Sequence, residues 1–197
     1  MEDPSHWLTS ERVTGYLKRA NKNPHRKEGE ETLLDFIPKG TTRVLDLGTG
    51  DGRLIRLLKR KIPRLKSVVI DFSPPMLKAL SLKFGSDNSV TIVPHNLNYP
   101  LPNLGNFDAV VSSLAIYHLN DNRKKVLYSE ILSLIKPGGI FCNFDHFASA
   151  SKKLAQHFRR AMGRQRAPNR NHEERLNYVE TGLWTWIVIG NGCNLRY

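Results

Sequence analysis

Apolar residues along this chain recur in two rhythms. Short, mostly apolar runs stand at Arg43–Leu47 (RVLDL), Ser67–Asp71 (SVVID), within Ser89–Leu97 (SVTIVPHNL), at Phe107–Ser113 (FDAVVSS) and at Gly139–Phe147 (GIFCNFDHF). Each is of strand length. Between them, apolar positions return at helical spacing. Leu54, Ile55, Leu57, Leu58 and Ile62 make one stripe, with Arg53, Arg56, Lys59 and Arg60 expected to face solvent and Pro63 to end the helix. "SPPMLKALSLKF" opens with a serine cap and a proline near the first turn. "NRKKVLYSEILSLI" reads as a helix with Val126, Ile131, Leu134 and Ile135 inward, stopped by "KPGG". Ahead of the first strand, residues 9–22 and 27–37 read as two helical pieces separated by "NKNPHR". A further helix is expected from Ser151 to Met162 and one late strand from Trp184 to Ile189.

Strands alternating with helices, and apolar enough to be buried on both faces, predict an α/β fold with a doubly wound, mostly parallel sheet. In such sheets ligands bind at the carboxyl ends of the strands, near the point where strand order reverses. The loops that matter then hold Gly48–Gly52, Asp71–Ser73, His95–Leu97, Ser112–His118 and Asp145–Phe147. A chain of 197 residues fits one domain. It divides into a helical lid over 1–40, a ligand-binding core over 41–147, and a basic helix with a divergent C-terminal segment over 148–197.

Composition changes this picture little: 40% hydrophobic and 24% charged residues are ordinary for a globular protein. No apolar run approaches the roughly 20 residues that span a bilayer. The N-terminus lacks the apolar core of a secretory signal. A soluble cytoplasmic protein with no membrane partner is expected. Cys142 and Cys193 lack metal-ligand spacing and read as buried or incidental thiols, so no metal site is expected.

The net charge of +12 raises the possibility of nucleic acid. Residues 41–70 hold eight Lys/Arg against two Asp/Glu, and residues 148–175 hold the same eight against two, so the whole excess lies in these two segments. Solvated helix faces are the favoured reading of such runs, and a nucleic-acid partner is possible but disfavoured.

"RVLDLGTGDGRLIRLL" is a strand, a glycine turn and a helix. Glycines let the backbone bend sharply and approach a ligand, and the next helix offers free N–H groups. Asp71 closes the second strand 19 residues after Gly52, where a carboxylate accepts from ribose hydroxyls. A dinucleotide and an adenosyl ligand fit equally to this point. Three details separate them. Gly48, Gly50 and Gly52 fall at every second position, whereas the dinucleotide fingerprint spaces its last pair by three. Asp46 and Asp51 flank and occupy the turn, and two carboxylates repel a pyrophosphate. No Lys stands in P-loop spacing.

"VLDLGTGDGRL" resembles the first motif of class I S-adenosylmethionine-dependent methyltransferases. "VVIDFSPPMLKAL" is similar to their second segment, "FDAVVSSLAIYHL" to their strand-four segment, and "LIKPGGIF" to their turn before strand five. The resemblance covers roughly residues 26–147, in the family's order. It implies a Rossmann-like methyltransferase fold and S-adenosyl-L-methionine as cofactor. It places Asp46, Gly48, Thr49 and Gly50 along the methionine part of the cofactor and Asp71 on the ribose. Phe72 and Met76 fall near the adenine. Asn96 stands where relatives carry an acidic residue that accepts from the adenine amino group; an amide oxygen still accepts. Leu97 offers its backbone N–H to the ring, Ser113 touches the methionine end, and Arg26 matches a place from which relatives reach the cofactor. Asp108 lies at the opposite end of the sheet and is expected to order a turn.

His118 follows strand four and His146 ends strand five, so both are candidate general bases. Tyr16, His25 and Tyr117 are further candidates, and Trp7, Tyr16 and Tyr117 could stabilise a cation with their ring faces. Methyl transfer also proceeds by alignment alone, without a base. The expected activity is methyl transfer to a small molecule. One alternative is a tRNA- or RNA-modifying enzyme using the same cofactor. Another is a non-catalytic, truncated relative, because the family sheet ends in two further strands and only one run is visible here. That incomplete hairpin leaves an unpaired edge beside strand five, a liability for self-association into a homo-oligomer.

Overall fold

The computed structural model describes residues 7–20, 24–147 and 183–190. Two helices, α1 (Ser10–Ala20) and α2 (Pro24–Phe36), precede the sheet. α2 begins at Pro24, so "PHR" is helical and not part of the expected connection. Proline suits this position because its missing N–H has no helical partner to lose. There follow β1 (Arg43–Leu47), α3 (Arg53–Lys61), β2 (Lys66–Asp71), α4 (Pro74–Phe84), β3 (Val90–Pro94), β4 (Phe107–Ser113), α5 (Asp121–Leu134), β5 (Ile135–Phe147) and β6 (Leu183–Gly190).

The strand order is β3-β2-β1-β4-β5-β6, and the four pairings from β3 to β5 are all parallel. The chain winds outward from β1 in one direction and from β4 in the other. The crevice at the carboxyl ends of β1 and β4 is therefore the topological switch point. Leu45, Leu47, Ile70, Phe107, Val110, Ile131 and Phe141 form the buried centre of the sheet and its covering helices. The chain forms two compact units, Met1–Phe144 with Trp186–Tyr197, and Asp145–Thr185. The switch point belongs to the first.

Several expectations change. Leu127, not Val126, turns inward from α5: Leu127 is 0% and Val126 52% exposed. Leu127 and Ile131 stand four residues apart on one face, and Val126 lies about 100° round from it. "KPGG" is no separate turn. α5 passes directly into β5, and the motif is absorbed as a register irregularity between Phe107–Ile135 and Ala109–Ile140, with Gly138 at φ +77°. β6 lies beside β5, so the unpaired edge expected there is occupied. Asp108 does order the amino end of the sheet, accepting from the backbone N–H groups of Thr42 and Arg43 and from Lys136 Nζ. Cys142 is buried, which pushes its thiol up to about 12 and keeps it protonated. The expected helix at 151–162, the second basic segment and Cys193 lie outside the described residues.

The basic stretch after β1 is less solvated than its sequence suggests. Arg53 donates to the buried Glu30 at 2.5 Å, and Lys59 pairs with Asp87 at 3.0 Å. Arg43 donates to the Leu104 carbonyl and lies over the Phe107 ring, and Lys61 bonds the end of α2. Half of the eight basic side chains of 41–70 thus have internal partners. No helix among the described residues is long and apolar enough to cross a membrane.

Candidate functional site

A cavity of about 110 Å³, partly open to solvent, lies at the switch point. The structure brings Arg26, Gly48, Thr49, Gly50, Asp71, Phe72, Met76, Asn96, Leu97, Ser113 and His118 to its walls. Asp46 is not among them. The side chains of His146 and His25 lie outside the described ones.

The glycine turn closes the gap between the two halves of the sheet. Gly48 has φ +66°, and a Cβ there would stand 2.3 Å from the Ala115 Cβ, beyond the end of β4. Gly50 faces the cavity near Met76. Gly52 does something else: with φ +78°, a Cβ on it would strike Phe84 and Leu80, so it lets α3 and α4 pack closely. Leu114 is the one non-glycine residue with positive φ among those described, at +59°, and it lines the cavity. Strained backbone of this kind concentrates at ligand sites.

Asp71 is the most constrained carboxylate on the wall. Its Oδ2 accepts from the Gly50 N–H at 2.8 Å and its Oδ1 from the Ser73 N–H at 2.9 Å. Each oxygen keeps a lone pair for a ligand hydroxyl. Burial raises its pKa, against the pull of the backbone N–H groups of Ser73, Gly50 and Phe72. Asp46 lies beneath the turn, 1% exposed, and accepts from Thr49 Oγ1 at 2.6 Å. It braces the loop from below and does not line the cavity. Burial pushes it up to about 7, so near neutral pH it is only partly ionised. Asp51 lines the cavity but is ion-paired with Lys83. Of the two carboxylates expected to repel a pyrophosphate, one is thus offset by a cation and the other is buried beneath the turn.

The residue that sequence reasoning missed is Glu30. Fully buried in α2, it accepts from Arg26 Nε at 2.8 Å, from Arg53 Nε at 2.5 Å and from Ser113 Oγ at 3.2 Å. It ties the lid helix to the start of α3 and the end of β4. Arg26, 7% exposed, spends its Nε on Glu30 and directs Nη1 towards Tyr16, 3.5 Å away. Arg26 and Glu30 are spaced i, i+4, which was legible as a helical ion pair; that the pair faces inward was not.

On the opposite wall, Asn96 Oδ1 already accepts from the Asn98 backbone N–H at 2.9 Å and from Asn98 Nδ2 at 3.1 Å. Its oxygen is thus occupied, contrary to the acceptor role expected of it, and Nδ2 is the end left to a ligand. Arg123 holds the same loop by donating to the carbonyls of Leu97 and Tyr99, while Glu130 orients the guanidinium. Over the mouth, the Trp7 ring meets Tyr16 at 4.9 Å and His118 at 5.6 Å, both edge-on, and Tyr117 lies 3.8 Å from His118. The Trp7 carbonyl is fastened by Ser73 Oγ at 2.5 Å, and Ser73 also caps α4.

Comparison with known proteins agrees with this geometry. Residues 44–139 match the family described as "Methyltransferase domain". An uncharacterized methyltransferase of Mycobacterium tuberculosis is 39% identical over 110 residues, covering 55% of this chain and 53% of its own length. One from Geobacillus is 30% identical over 173 residues, covering 85% and 77%. The chain spans about half the length of most curated relatives it matches, as with the 53% of the Mycobacterium protein. Among solved structures, the N-methyltransferase NodS from Bradyrhizobium japonicum, in complex with S-adenosyl-L-homocysteine, aligns with TM-score 0.57 at 18% identity, over 71% of this chain and 69% of its own.

Proposed function

The chain belongs to the methyltransferase family, and from that premise we propose that it is a class I enzyme that transfers a methyl group from S-adenosyl-L-methionine to a small-molecule acceptor. The observation that carries this reading is Asp71, held by two backbone N–H groups at the rim of an open switch-point cavity.

The side chains present fit the cofactor. Asp71 accepts from ribose hydroxyls with its remaining lone pairs. Phe72 and Met76 offer apolar walls for a base, and Leu97, whose carbonyl Arg123 holds, lines the cavity with them. Gly48, Thr49 and Gly50 leave room along the β1 end, and the free edge of the Arg26 guanidinium suits an amino-acid carboxylate. Asn96 adds a donor where relatives accept. When bound, this cofactor supplies a methyl group on a cationic sulfur. The chain's own part is to exclude water with Trp7 and Tyr16, to align the acceptor, and to take its proton on His118, which lines the cavity beneath both rings.

A small acceptor is favoured over RNA because four of the basic side chains of 41–70, Arg43, Arg53, Lys59 and Lys61, are engaged internally. The setting we propose is the cytoplasm.

Calorimetric titration of the full chain with S-adenosyl-L-methionine and S-adenosyl-L-homocysteine tests the reading. Binding of both by the native chain, and its loss in Asp71→Ala, are the expected results. A folded native chain that binds neither sinks it.

A further inference from the structure

A groove on the outer side of α1 adjoins the cavity, and Trp7 and Tyr16 are walls of both. Tyr117 forms another wall of the groove, stacked against the His118 ring that faces the cavity. The groove and the cavity thus adjoin at shared aromatic rings.

The groove also carries charge. Arg12 and Arg19, both exposed, line it from one side of α1, seven residues apart. Neither guanidinium has an ion-pair partner among the described residues. Glu11 is the carboxylate that lines the groove with them, so the balance there is positive. Gly15 stands between the two arginines on the groove floor. A Cβ at this position would make ordinary van der Waals contact with Arg19 Nη1, at 3.4 Å.

We propose that this groove binds the acceptor and that the acceptor is a flat aromatic monoacid. The assignment rests on the methyltransferase reading above. The ring packs among Trp7, Tyr16 and Tyr117, whose faces and edges favour another π-system. The carboxylate lies on Arg12 and Arg19, whose planar forks match its two oxygens. Glu11 repels a second acidic group, which restricts the ligand to a single negative charge.

The test is calorimetry on the full chain saturated with S-adenosyl-L-homocysteine, with 4-hydroxybenzoate as probe and 4-hydroxybenzamide as its neutral match. The acid binds at least tenfold more tightly than the amide. The exposed double variant Arg12→Ala/Arg19→Ala erases that preference and keeps native affinity for S-adenosyl-L-homocysteine. Equal affinity for acid and amide, or an undiminished preference in the double variant, overturns the proposal. So does absence of acid binding in a chain that binds S-adenosyl-L-homocysteine. Failure of the native chain to bind S-adenosyl-L-homocysteine strikes the methyltransferase reading itself, and this proposal falls with it.

Discussion

Glu30 Oε1 accepts from Arg26 Nε at 2.8 Å, one helical turn away, with side-chain exposures of 0% and 8%. Breaking such a pair from one side strands a buried charge and costs about 3–5 kcal/mol. Glu30→Ala is expected to lose stability of that order in denaturant melts, because Arg26 and Arg53 both lose their acceptor. Glu30→Gln keeps the shape and loses less. In both, affinity for S-adenosyl-L-homocysteine falls, since Arg26 is no longer aimed. An alanine variant with native stability would show that the cluster contributes nothing.

Asp71→Ala removes a charged acceptor whose hydrogen bonds are each worth about 1.5–3 kcal/mol, so affinity for S-adenosyl-L-homocysteine falls by roughly one to two orders of magnitude. Burial raises the Asp71 pKa. Protonation removes its capacity to accept with both oxygens, so native affinity weakens as pH drops into the acid range. Titrations at two pH values check this: the native chain shows the dependence and the alanine variant has lost this component of it.

Asp46 gives a stability effect of definite sign. Burial raises its folded-state value to about 7, from 3.8 for an exposed aspartate. Between those values the unfolded chain gives up a proton that the folded chain keeps. Stability from this group is therefore full below the lower value and is lost as pH rises to the upper one. Asp46→Asn has no proton to lose. Its melting temperature is expected to gain on the native chain from pH 4 to pH 7, by the equivalent of about 4 kcal/mol at most, and to hold that gap above. A gap that stays constant across the range would contradict this.

Two glycines of the same turn separate structure from binding. Gly48→Ala drives a Cβ against Ala115 between β1 and β4, at the cavity wall. It is expected to lose both stability and ligand affinity. Gly52→Ala collides with Phe84 and Leu80 at the α3–α4 contact, at φ +78°. Overpacking of this kind costs about 1–3 kcal/mol. The folded variant keeps near-native affinity, because Gly52 is not a wall of the cavity. Melting curves paired with calorimetry distinguish the two.

The sheet and its switch point were legible because buried parallel strands leave unbroken apolar runs, and β4 stands at Phe107–Ser113 as read. Most of the wall residues were legible for a related reason: they sit in loops whose places follow from strand order. What escaped were relations between distant segments. Arg53 reads as a solvated helix residue until Glu30 is brought to it from 23 positions away. Asn96 reads as an acceptor until Asn98, two residues on, takes its oxygen. Asp46 and Asp51 read as two bare charges until burial raises the pKa of one and Lys83 pairs with the other. Val126 and Leu127 are neighbours of equal apolarity, so only the packing of α5 decides between them.

The Ser73 hydroxyl joins the Trp7 carbonyl to the residue two positions from Asp71. Trp7 is itself a wall of the cavity. Two walls of the cavity, Trp7 and the start of α4, are thus tied through one hydroxyl. Ser73→Ala is expected to loosen both and to speed the release of S-adenosyl-L-homocysteine, read from dissociation kinetics.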